Sequence, residues 1–218
     1  MKRIFIVGGA GKVARHLAPR LVKQCDEPVS LYRHFDQEPE LKALGATPVF
    51  GDLEKLSPES LSQLMQGCAA VVFSAGAGGK GGVETTKAID GVGLEKSVEA
   101  AKLAGIKRII LVSAFPEAGR GRHISDTFEY YMEVKKAADV YLVASGLDWV
   151  IVRPGTLTDD AATTLINAGL AISYGNVSRD NVAATIAHIL SHDGINRIII
   201  ELTDGDKPIE QALAGLAR

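Results

Sequence analysis

Ile4-Phe5-Ile6-Val7-Gly8-Gly9-Ala10-Gly11-Lys12-Val13-Ala14 opens as a short apolar run, breaks into glycines and resumes in a pattern of helical spacing. The stretch reads as strand, tight turn, helix. Glycines let a backbone turn sharply and approach a ligand closely, and the free N–H groups at a helix start, backed by the helix dipole, attract a phosphate. Gly8, Gly11, Lys12 and Val13 are therefore candidates for holding a nucleotide. The spacing Gly8-x-x-Gly11-x-x-Ala14 departs from G-x-G-x-x-G, so its meaning depends on the rest of the chain.

Apolar residues Val13, Leu17, Leu21 and Val22 carry the first helix to the neighbourhood of Asp26-Glu27-Pro28. Strands are expected at residues 29–33, 47–50, 69–73, 109–112 and 148–153, with a late strand at 197–201 and another at 171–174. Between them, helices are expected near residues 36–44, at 57–67 behind the cap Ser57-Pro58, at 83–104, 124–145, 161–167 and 179–191, and finally at 208–216. Strands apolar on both faces, alternating with helices, imply a parallel sheet covered on each side. This is a three-layer α/β/α, doubly wound fold, and its ligands bind at the carboxyl ends of the strands. Gly8, Arg33, Asp52, Ser74, Ser113 and Arg153 all fall at such ends. Leu53, Ala75, Gly76 and Pro154 extend the same set of candidate cofactor contacts.

A chain of 218 residues suits one core, read as a single domain in which residues 154–180 form a small substrate-side region. A formal net charge of -2 with mixed signs gives no reason to expect nucleic acid or an anionic membrane as partner. The expected partner is a small-molecule substrate, and the chain itself is expected to be a monomer or homodimer. Cys25 and Cys68 are too few for a zinc site or disulfide framework, which points to a reducing, cytoplasmic setting. Met1-Lys2-Arg3 before an apolar run superficially resembles a signal peptide, but glycines end the run too soon. A Walker A loop is excluded at residues 76–82, because Gly81 follows Lys80. His188 and His192 stand one turn apart without a third ligand nearby, so no metal is expected. The basic stretch around Arg120, Arg122 and His123 is read as a lid over the reactive end of the cleft.

At the end of the second strand, where NAD-preferring proteins of this fold place an acidic residue, the chain has Tyr32-Arg33-His34. Arg33 can fork onto a 2′-phosphate and stack on adenine, and Lys12 adds a second positive charge. NADP is therefore the expected cofactor, ahead of NAD, although Asp36 stands close enough to reach a ribose. Asp52 is placed to accept from the adenine amino group, or to serve as an ordinary turn aspartate.

With these residues in place, the chain resembles the atypical branch of the short-chain dehydrogenase/reductase superfamily, which includes biliverdin-IXβ-reductase-like and NmrA-like proteins. The resemblance spans nearly the whole chain. It rests on Gly8-x-x-Gly11-x-x-Ala14, Gly51-Asp52-Leu53, Asp90-Gly91, Leu111-Val112-Ser113, Tyr131-x-x-x-Lys135 with Ala138-Asp139, and Arg153-Pro154-Gly155. It implies a Rossmann-type fold and an NADPH-dependent oxidoreductase, with a small carbonyl, quinone or flavin-like acceptor. It further implies that Tyr131 is the acid/base, that Lys135 binds the nicotinamide ribose and lowers the tyrosine pKa, and that Ser113 assists. Tyr130 and Lys136 compete for these assignments by adjacency. The branch also holds NADP-binding regulators without turnover, and the wider superfamily holds nucleotide-sugar epimerases.

Overall fold

The computed structural model describes residues 1–78, 81–116 and 124–216. Lys80 and the basic stretch with Arg120, Arg122 and His123 lie outside the described residues. The chain begins β1 (Arg3–Val7), α1 (Lys12–Lys23), β2 (Glu27–Tyr32), α2 (Glu38–Ala43), β3 (Thr47–Phe50), α3 (Pro58–Leu64) and β4 (Ala70–Phe73). It continues through α4 (Gly82–Thr86), α5 (Gly93–Leu103), β5 (Arg108–Val112), α6 (Asp126–Val143) and β6 (Asp148–Pro154). Strands β7 (Thr156–Thr158), β8 (Leu165–Gly169) and β9 (Asn176–Ser178) follow, then α7 (Arg179–Leu190), β10 (Ile198–Asp204), β11 (Lys207–Pro208) and α8 (Ile209–Ala214).

The central sheet has the order β11-β8-β10-β6-β5-β4-β1-β2-β3. Its members from β10 to β3 run parallel; β8 adds to β10 antiparallel, and the short β11 forms the edge beyond it. β1 lies between β2 and β4, so the order reverses beside it, at the place where doubly wound sheets open a crevice. One layer of core joins Ile4, Ile6, Leu17, Val72 and Ile110 to Val182 and Ile186 of α7. The other joins Phe5, Val7, Val71 and Phe73 to Leu61, Leu94, Val98 and Leu142. Alternate residues of the same strands feed opposite cores, which is why these strands are continuous apolar runs.

Three expectations change. Residues 161–167 do not form a helix: Thr164 adopts φ 60°, its N–H is taken by Asn181 Oδ1, and Leu165–Gly169 instead pairs with β10. Residues 171–174 are not a strand, because the Ile172 N–H goes to the Glu201 carboxylate and the nearby strand is Asn176–Ser178. The helix over 83–104 is interrupted by a π-turn, Lys87–Val92, between α4 and α5. Gly93 permits close packing just beyond it, since a Cβ there would meet Leu53 Cδ2 at 2.8 Å.

Candidate functional site

A cleft of about 250 Å3 opens at the carboxyl ends of β1 to β4. Of the candidate cofactor contacts, Gly8, Gly11, Arg33, Asp52, Leu53, Ser74, Ala75 and Gly76 line it. Ala10, Leu31, Tyr32, Gln37, Gly51, Glu54 and Ile89 line it as well. Only Glu54 among these adds a full charge, and spacing alone does not reveal which turn residue projects into a cleft.

The glycine turn is built for close approach. Gly8 has φ 81°, and a Cβ on it would lie 2.6 Å from both Cα and N of Ala75. Gly9 brings the turn against β2, where a Cβ would meet that of Ser30 at 2.5 Å. Gly11 is the N-cap of α1 and supplies no side chain to its first turn, so the leading N–H groups have no internal side-chain acceptor. Ala14 and Val13 are buried in the core and anchor the helix behind the turn. Such a cradle suits a dinucleotide phosphate. Lys12 at its edge is engaged by Asp159, which also holds Arg179 at 2.6 Å.

Arg33 is half exposed and sits 3.5 Å from Glu54. Burial works against ionisation of Asp52, yet the Glu54 amide, Lys55 and Arg33 together hold its carboxyl below the usual range. The end of β2 therefore carries a cation flanked by two carboxylates rather than a lone arginine.

Tyr131, Lys135 and Asp139 share one face of α6 at successive turns. None of the three lines the cleft at the ends of β1 to β4. Lys135 is 2% exposed; its ammonium donates to the Val112 carbonyl at 3.0 Å and stands 3.4 Å from Asp90 Oδ1. Asp90, in the π-turn, accepts the Ala77 amide on its other oxygen at 2.9 Å. Burial raises the pKa of Tyr131; Lys135 pulls it down, while Asp90 and Asp139 push it up again. Arg153 turns away from the cleft and donates through Nε and Nη2 to Asp139 Oδ2 at 3.0 and 2.8 Å. Burial nonetheless raises the Asp139 pKa, against the opposing effects of Ser113, Arg153 and Lys135. Ser113 Oγ and Asp139 Oδ1 are buried, and neither completes a hydrogen bond of ordinary geometry, although they lie near enough to influence each other. Pro154 is buried at the end of β6, opposite Leu202.

Elsewhere, Ser178 caps α7 by accepting the Asn181 amide, and Asp180 pairs with Arg20. His188 and His192 stack at 3.9 Å, and among the described residues no cluster of three metal-ligating side chains occurs. No described helix is long and apolar enough to cross a membrane.

A parallel sheet reversing beside β1, with an uncapped helix behind a glycine turn, defines a Rossmann-type nucleotide-binding protein. The chain belongs to the NAD(P)H-binding family, whose model matches residues 8–193. It is 35% identical over 215 residues to YhfK of Bacillus subtilis, described as an uncharacterized sugar epimerase, covering 98% of this chain and 100% of that one. A structure from Bacillus halodurans, provisionally described as an NAD-dependent epimerase/dehydratase, superposes with a TM-score of 0.90 at 33% identity, covering 99% and 100% of the two chains. The oxidoreductase ylbE of Lactococcus lactis superposes with a TM-score of 0.86 at 29% identity, covering 98% and 96%. NAD(P)H binding and a reductase-like fold are thus established at the level of the family.

Proposed function

We propose that the protein is an NADPH-dependent oxidoreductase that reduces a small carbonyl, quinone or flavin-like acceptor. The observation that carries this reading is the uncapped glycine turn Gly8–Gly11 with Arg33 across the same cleft. The first-turn N–H groups of α1 would hold the pyrophosphate, and Arg33 would meet the 2′-phosphate. Ser74, Ala75 and Gly76 would wall the path toward the ends of β5 and β6. When bound there, the dinucleotide supplies a hydride from its nicotinamide. Tyr131, with its raised pKa, holds its proton at neutral pH and is suited to donate it to an acceptor oxygen. Residues 154–180 would form the substrate wall.

The epimerase descriptions of two relatives fit less well. Residues 154–180 are short, with β8 drawn into the central sheet and β7 paired with β9, so the region between β6 and α7 adds no separate domain to hold a nucleotide sugar. A second reading, an NADP-binding regulator without turnover, is favoured by one observation: Lys135 is already engaged by Asp90 and Val112. NADPH oxidation against aldehydes, quinones and flavins separates the two. Consumption with at least one acceptor class supports the reductase; tight binding of NADPH and NADP with no consumption supports the regulator.

A further inference from the structure

Asp90 is a carboxylate 1% exposed, in the π-turn between α4 and α5. Burying a carboxylate is costly unless it is paired and hydrogen-bonded. Both of its oxygens are used: Oδ2 accepts the Ala77 amide, and Oδ1 faces the Lys135 ammonium. A Cβ at Gly76 would lie only 3.2 Å from Oδ1, so the glycine leaves room for the carboxylate against the loop. A π-turn interrupting a helix commonly serves a functional site, and this one sets an aspartate between the Ala77 amide and Lys135 of α6.

We propose that Asp90 is a positioning residue: one carboxylate ties the loop after β4, which walls the cofactor cleft, to Lys135 on α6, and so governs how much of the lysine's charge reaches Tyr131. The assignment rests on reading the cleft as a dinucleotide site with Tyr131 toward its reactive end. Among the described residues, the charged groups acting on Tyr131 are Lys135 and Asp139 on its own helix and Asp90 from the π-turn, with Arg153 of β6 holding Asp139. Lys135 draws the phenol toward ionisation, and Asp90 opposes it twice, by direct repulsion and by neutralising the lysine.

Asp90→Asn keeps the shape and one acceptor oxygen but removes the charge. The Val112 carbonyl remains in place in that variant to accept from the lysine. The ionisation of Tyr131, followed by tyrosinate absorbance and assigned by its disappearance in Tyr131→Phe, is expected to move down by about one pH unit in Asp90→Asn. An unshifted Tyr131 overturns the proposal, since a purely structural aspartate would leave that titration alone. Hydrogen exchange on the unmodified protein covers the case in which the variant does not fold. The Ala77 amide is expected to exchange roughly tenfold or more below its unstructured rate, and exchange at the unstructured rate overturns the proposal. Neither measurement involves NADPH, so failure to bind or oxidise NADPH counts against the functional reading alone.

Discussion

Replacing Arg33 by alanine tests the cofactor assignment at its most exposed point. The guanidinium is 3.5 Å from Glu54, with the two side chains 51% and 41% exposed. An ion pair that open to water is worth about 0.2–1 kcal/mol. A charge-assisted hydrogen bond to a phosphate is worth about 1.5–3 kcal/mol. Engaging the phosphate means giving up the Glu54 contact, so the net loss in Arg33→Ala centres on about 1.7 kcal/mol, or roughly fifteen- to twentyfold in NADPH affinity. NADH, without a 2′-phosphate, should change by no more than about twofold, because Arg33 would offer it only stacking. Glu54→Gln removes the competing carboxylate and should tighten NADPH by up to about fivefold. Fluorescence titrations with both nucleotides, at low and high salt, measure all of this. The reasoning is refuted if wild-type protein binds NADH as tightly as NADPH, or if Arg33→Ala weakens both equally. A fall in NADPH affinity with rising salt that is as steep in the variant as in the wild type would refute it too.

Gly8→Ala places a side chain at φ 81° and a Cβ 2.6 Å from the Ala75 backbone; the left-handed conformation alone costs about 1–2 kcal/mol, so urea denaturation should show that loss together with at least roughly tenfold weaker NADPH binding. Asp139→Ala strands Arg153 and should cost about 3–5 kcal/mol, lowering Tm by about 6–20 °C, whereas Asp139→Leu with Arg153→Met should stay within about 1 kcal/mol of wild type. The pH dependence has a definite sign: the folded Asp139 pKa is raised, so its contribution is present in acid, below the unfolded aspartate pKa, and is lost as pH rises through the folded value. Asp139→Asn should flatten the stability profile across that window, as denaturation at a series of pH values will show. Asp159→Asn releases Lys12 and should tighten NADPH binding at low salt, with the gain vanishing at high salt. Tyr131→Phe should lower the rate of NADPH oxidation with a carbonyl acceptor while leaving NADPH affinity unchanged, and equal rates would remove the phenol from the chemistry.

Most of the sheet is legible in the sequence because its strands are buried on both faces and therefore unbroken apolar runs, as at Ala70–Phe73 and Ile109–Val112. The region after Pro154 is not. β8 is a strand only because β10, far along the chain, pairs with it, and Thr164 takes a conformation that no local pattern announces. The π-turn is hidden for a related reason. Its residues read as helix, and the close packing of Gly93 on Leu53 beside it belongs to the assembled fold. In the site, the glycine turn and the strand ends are readable, since a strand ending in glycine before a helix states its geometry locally. Glu54 is not, nor is the diversion of Arg153 to Asp139.

The sequence by itself determined the layered α/β architecture and the turn from Gly8 to Val13, because hydrophobic period and glycine conformation act over a few residues. Only the tertiary structure decided which charge meets which: Arg33 with Glu54, Lys12 with Asp159, Lys135 with Asp90, Arg153 with Asp139. Pairing of charges depends on distance and burial between elements remote in the chain, and those exist only once the sheet has brought the strand ends together.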